Sequence, residues 1–141
     1  MKPEFFTDPL FLRITASLAI IAGGYLLYRL VGALSLRRAR SGAAALPSPG
    51  RNIPVLLYFT TPTCAPCKTI QRPAIQRLQE QLGNRLLVIE VDASAQPEFA
   101  SQWGVLSVPT TYLIDRGGQP RHVNHGVASA EKLMTQIQDI L

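Results

Sequence analysis

A dense apolar block from Ile14 to Leu36, with Arg29 as its single charge, restricts this chain more than any other stretch of it. As a helix rising about 1.5 Å per residue, a run of this length crosses the ~30 Å hydrocarbon core of a bilayer. Arg29 sits toward one end, where a long side chain can reach the headgroups. A cleaved signal peptide is the alternative, with Val31-Gly32-Ala33 as a small-residue cleavage site. Against it, the apolar stretch continues past that point and is followed by Arg37, Arg38 and Arg40. The expectation is a leader over 1–13, a transmembrane helix over 14–36, and a basic juxtamembrane segment and linker over 37–52. The linker, Ser41 to Arg51, is rich in small residues, Pro and Gly and has no hydrophobic period.

The charge is as uneven as the hydropathy. The formal net charge is +5, and it arises before Asn52: seven basic residues there stand against Glu4 and Asp8, whereas seven basic and seven acidic residues cancel from Asn52 onward. A nucleic-acid binder carries its basic face on the folded domain. This chain does not, so that class is set aside.

From Ile53 to the C-terminus the pattern alternates strand and helix. Val55 to Phe59 is a short apolar run bounded by Pro54 and Thr60-Thr61-Pro62, the mark of a buried strand. Ile70, Ala74, Ile75, Leu78 and Leu82 follow at helical spacing and stop at Gly83; Pro73 is expected to kink that helix. Leu86 to Val91 reads as a second buried strand, and Ala95 to Trp103 as a short helix with Pro97 in its first turn. Thr110 to Ile114 and Arg121 to Asn124 flank a turn over residues 115–120, giving a hairpin. Ser129 can cap a last helix carrying Leu133, Met134, Ile137 and Leu141 on one face. The order β-α-β-α-β-β-α predicts an α/β domain over 53–141 with a mixed four-stranded sheet.

The chain has two cysteines, in the sequence Cys64-Ala65-Pro66-Cys67. Cys64 follows a buried strand and stands where the next helix begins. Free backbone N–H groups and the positive end of the helix dipole favour a thiolate there. Cys67, one turn on, can attack a mixed disulfide formed at Cys64. Cys64 is therefore the attacking thiol and Cys67 the resolving one. Lys68 adds a nearby positive charge. Zinc sites also use C-x-x-C, and the partner ligands would be His122 and His125. Positions three apart on one strand point to opposite faces, which argues against a shared metal.

These motifs together resemble the thioredoxin family over residues 53–141. VLLYFTTPTCAPCK (55–68) is similar to its strand and C-x-x-C-K signature, and Val91-Asp92 with Gln96-Pro97 to its next strand and helix start. Trp103-Gly104-Val105 leads into Ser107-Val108-Pro109-Thr110, similar to its cis-proline loop. The resemblance implies a cis Val108–Pro109 bond against the dithiol, with the backbone of Val108 free to pair with a substrate strand. It puts Thr63, Val108, Pro109 and Gly126 on the substrate surface. It implies no cofactor beyond a redox-active Cys64–Cys67 disulfide. Its partners would be protein thiols and disulfides, with thioredoxin reductase or a membrane thiol carrier as electron donor.

The chain departs from that pattern in four places. Thr63 stands where the family has a tryptophan, Tyr58 where it has a buried acid, and Val88 where it has a lysine. There is no room before Ile53 for the family's first strand and helix. Losing acid and lysine together is coherent, since either charge buried alone is costly; it leaves Lys68 or water as proton acceptor for Cys67. His125, before Gly126, is a further modulator if its ring faces the dithiol; otherwise it is a solvent-exposed strand histidine. Ala65-Pro66 is similar to the Gly-Pro of reducing members, which implies reduction of protein disulfides. Arg37, Arg38 and Arg40 outnumber Lys2 and Arg13 across the apolar block and favour a cytoplasmic domain over an extracytoplasmic one. Two other functions remain: a module binding a membrane partner through the cis-proline surface, and a C-x-x-C metal site.

Overall fold

The computed structural model describes residues 9–43 and 53–141. The first eight residues of the leader and most of the linker, with the charges of Lys2, Glu4, Asp8 and Arg51, lie outside the described residues. The described residues divide into two compact units, one ending at Ala33 and one running from Leu34 to Leu141.

The first unit is the body of helix α1 (Pro9–Ala43). The stretch Leu10–Ser41 is long and apolar enough to cross a membrane, with mean hydropathy 1.8. Leu18, Ile20, Ile21, Leu26 and Leu30 are all exposed. Thr15 and Ser17 fold their hydroxyls back onto carbonyls three or four residues earlier. Arg29 Nη1 donates to Tyr25 Oη at 3.3 Å, so the one charge inside the block meets a polar group one turn away.

The second unit is built on the strands β1 (Val55–Thr60), β2 (Leu87–Asp92), β3 (Thr110–Ile114) and β4 (Pro120–His125). Their order is β2-β1-β3-β4; β1 and β2 run parallel, the other neighbours antiparallel. This is the thioredoxin-like α/β arrangement with a mixed four-stranded sheet. Helices α2 (Arg72–Leu82) and α4 (Ala130–Gln138) cover one face and α3 (Pro97–Gln102) contributes to the other. β1 is buried along its whole length, as its unbroken apolar run requires.

Alternation along β1 sorts its side chains into two cores. Leu56 and Tyr58 join Ile75, Leu78, Leu82, Leu133 and Ile137 on the α2/α4 face, together with Cys64 and Cys67. Leu57 and Phe59 join Val91, Ala100, Trp103, Tyr112 and Ile114 on the other. The second core also takes in Ala39, with Leu36 packed against it. The end of α1 from Leu34 thus belongs to this unit; residues 37–43, expected in a basic juxtamembrane segment and linker, continue the helix, as do residues 9–13 of the expected leader.

Candidate functional site

Pro73 shapes the start of the dithiol helix. It has no N–H to give to the carbonyl four residues back, and the chain answers with a π-helical turn over Cys67–Gln71. The expected kink is therefore a wider turn that begins at the second cysteine. Arg72 N–H reaches back five residues to the Cys67 carbonyl. The same carbonyl accepts the Tyr58 hydroxyl at 3.2 Å. Tyr58 is buried, and burial, the largest influence on it, pushes its hydroxyl above the usual phenol range. It therefore meets the turn as a neutral donor at neutral pH.

Cys64 and Cys67 are joined in a disulfide, their Cα atoms 5.3 Å apart. Cys67 N–H donates to Cys64 Sγ at 3.3 Å, so the sulfur at the head of the turn receives a backbone donor. Cys64 is 9% exposed and Cys67 1%. Thr63 and Lys68 on either side of the pair are exposed, as are Ala65 and Pro66 between them.

The Val108–Pro109 bond is cis. Pro109 is buried, and half-buried Val108 packs against the cluster containing both cysteines. Gly126 N–H donates to the Pro109 carbonyl at 2.8 Å; its φ of +84° is one that glycine adopts without strain. Val88 lies on the Tyr58 face, where it packs against the same cluster. An apolar residue and a neutral hydroxyl thus share that position of the core.

His125 lies elsewhere. It pairs across the sheet with Thr110, and Thr110 with Phe59, so the three share the Trp103 face, opposite α2. Its Nε2 is buried without a hydrogen-bond partner among the described residues, and burial holds its pKa below the usual 6.5. His122 pairs with Leu113 on the α2/α4 face, so the two histidines sit on opposite sides of the sheet.

One residue of the site escaped the sequence reading. Gln71 is fully buried, and its amide clamps the backbone of Ala128: Nε2 donates to the carbonyl at 3.2 Å and Oε1 accepts the N–H at 2.8 Å. This ties the π turn to the loop after Gly126. A signal existed, because Gln71 lies on the same helical stripe as Ala74, Ile75, Leu78 and Leu82. A polar residue on an apolar stripe needs a buried partner.

Known proteins are similar to this chain in sequence and in fold. The family model for thioredoxin matches residues 48–139, more than half of the chain. Thioredoxin 1 of Nostoc is 35% identical over 68 residues, 48% of this chain and 62% of that one. The bifunctional thioredoxin reductase/thioredoxin of Mycobacterium leprae is 32% identical over 90 residues, 64% of this chain and 19% of that one. The chain thus spans less than two thirds of the length of either relative. Thioredoxin-2, a component of malaria parasite protein secretion machinery, superposes with a TM-score of 0.58 at 24% identity, over 62% of this chain and 82% of that one, a likeness of fold. With the family model covering residues 48–139 and the fold shared, the chain belongs to the thioredoxin family.

Proposed function

We propose that this chain is a membrane-tethered thiol–disulfide oxidoreductase that reduces protein disulfides through Cys64 and Cys67. The observation that carries the reading is the cysteine pair itself: disulfide-bonded at the head of a helical turn, with the Cys64 sulfur receiving the Cys67 N–H. In the reduced state the same donor favours a Cys64 thiolate. That thiolate attacks one sulfur of a substrate disulfide, forms a mixed disulfide and expels the other substrate sulfur as a thiolate. The Cys67 thiolate then attacks Cys64 Sγ, closes the Cys64–Cys67 bond and releases the second substrate thiol. Two electrons pass from the dithiol to the substrate, whose two sulfurs end protonated. A dithiol donor, thioredoxin reductase or a membrane thiol carrier, restores the pair. A relative that carries both a thioredoxin reductase and a thioredoxin in its name supports the first choice.

The neighbours are given roles within the same reading. Val108 pairs by its backbone with the substrate strand, Pro109 and Gly126 hold that edge, and Thr63 borders the entry to Cys64. Tyr58 positions Cys67 through its carbonyl. Lys68 or water takes the Cys67 proton. His125, on the other face of the sheet, has no part in the chemistry. Helix α1 tethers the domain, and the arginines at 37, 38 and 40 keep it on the cytoplasmic side.

The test is capture. In cells, Cys67→Ser should accumulate mixed disulfides at Cys64 that run as high-mass species without reductant, and Cys64→Ser should accumulate none. Equal capture by both variants would refute the division of labour.

A further inference from the structure

The end of α1 reaches the neighbourhood of the substrate surface. Ser35 and Ala39, one turn apart, are buried with the Trp103–Tyr112 core, and Leu36 packs beside them. The Ser35 side chain lies beside Tyr112, whose own hydroxyl donates to the Trp103 carbonyl. This seat fixes Arg38, on the same turns of the helix. Its aliphatic stem lies over Gly104: a Cβ at Gly104 would stand 3.4 Å from Arg38 Cδ and 3.7 Å from Arg38 Cβ. From there a groove of about 340 Å³ runs along Val105, Leu106 and Ser107 to Val108. Arg38 is the one charged side chain among its lining residues; the rest are small, apolar or hydroxyl-bearing. No ion pair holds Arg38 among the described residues. Leu106, 73% exposed on the same groove, offers apolar contact to whatever lies in it.

We propose that Arg38 is a specificity-determining residue, which reads an acidic side chain near the cysteine of an extended polypeptide substrate lying in this groove. The proposal rests on the preceding reading of Val108 as the place where a substrate strand pairs. A strand leaving Val108 along the groove covers the four steps to Gly104 in at most about 14 Å. At about 3.3 Å per residue, the acid stands two to four residues from the substrate cysteine. The chain from Asn52 onward sums to zero, and Lys68, the exposed cation beside the cysteine pair, does not line this groove. Arg37 and Arg40, exposed on the same helix, do not line the groove.

The test uses the full chain in uncharged detergent, reduced and freed of reductant, in single-turnover reactions with two disulfide-linked peptides. They differ only in Glu or Lys three residues from the cysteine. Wild type should oxidise about fivefold faster with the Glu peptide at low salt, and the ratio should shrink at high salt. Arg38→Ala should bring the ratio to one, Arg38→Glu should invert it, and Arg38→Lys should keep most of it. Arg37→Ala should leave it unchanged. Equal rates for wild type, or a preference that survives Arg38→Ala, would overturn the proposal. So would loss of the preference when the protein is moved into vesicles containing phosphatidylglycerol, because the arginine would then serve anionic lipid. A wild type inert even toward the small neutral 2-hydroxyethyl disulfide would fail the dithiol reading itself. One that reduces it yet treats the two peptides alike fails this inference alone.

Discussion

The two faces of the sheet are built from different material. The α2/α4 face is aliphatic and comes from long amphipathic helices: Ile75, Leu78 and Leu82 on one, Leu133 and Ile137 on the other. It carries the cysteines and the polar ties to them, Tyr58 on the Cys67 carbonyl and Gln71 on Ala128. The opposite face is aromatic, with Phe59, Phe99, Trp103 and Tyr112 at ring separations of 5.1 to 6.4 Å. Its own helix, α3, has six residues, and part of its cover comes from Leu36 and Ala39 on α1. One face is specified by local periodicity and carries the cysteine pair; the other is specified in part by a contact between distant stretches of the chain, Ala39 with Trp103.

That contrast sets the largest expected effect. Trp103→Ala should cost about 3–5 kcal/mol, no less than the roughly 2–5 kcal/mol expected for Leu78→Ala on the dithiol face. Denaturant unfolding of the full chain in uncharged detergent, followed by circular dichroism, measures both. A cost below about 1 kcal/mol for Trp103→Ala would mean that the aromatic face is peripheral and the two faces are not comparable.

A smaller effect sharpens the account of the dithiol face. Tyr58→Phe removes one donor from the Cys67 carbonyl, which keeps its bond from Arg72 N–H. The expected loss is about 1 kcal/mol. Because no carboxylate sits at this place, the substitution should leave the pH dependence of disulfide reduction unshifted. A displaced pH profile would make the Tyr58 hydroxyl part of the proton path.

The smallest effect belongs to the aromatic face. Burial holds His125 below 6.5, so in the window just under that value the unfolded chain binds a proton on this ring that the folded chain does not. The stability contributed by the neutral ring is fully present above pH 6.5 and is lost as pH falls toward the lower folded value. His125→Gln should flatten the stability profile over that interval. An unchanged slope would mean that the ring is as solvated as in the unfolded chain.

The same contrast explains what the sequence could reveal. β1 was legible because it is an unbroken apolar run, and the hairpin is marked by Asp115, Gly117 and Gly118, where Asp115 Oδ1 accepts N–H bonds from Gly117 and Gln119. β2 was legible as a strand but not in its depth: expected to be buried, it stands at the sheet edge, half-buried and with Glu90 exposed. The Ser129 cap was legible too; its hydroxyl accepts Lys132 N–H. Pro73 announced a distortion but not its kind, since whether a missing donor gives a bend or a π turn depends on what else can satisfy the carbonyls. The seat of Ser35 and Ala39 was illegible. Ser35, inside the apolar run, reads the same whether it faces lipid or protein, Ala39 is a small residue among arginines, and their partners Trp103 and Tyr112 lie far along the chain. His125 could not be assigned to a face until its pairing with Thr110 fixed the register.

The central claim is that Cys64, not Cys67, is the sulfur that meets substrate. The most direct measurement is timed alkylation of the reduced full chain by iodoacetamide, with the modified cysteine located by mass spectrometry across pH 5 to 9. Cys64 is the more exposed of the pair and sits at the head of the turn. It should react first, at least about tenfold faster than Cys67 and with an onset below the ordinary thiol pKa of about 8.5. Alkylation that begins at Cys67, or proceeds equally at both sulfurs with onset near that ordinary value, would contradict the account.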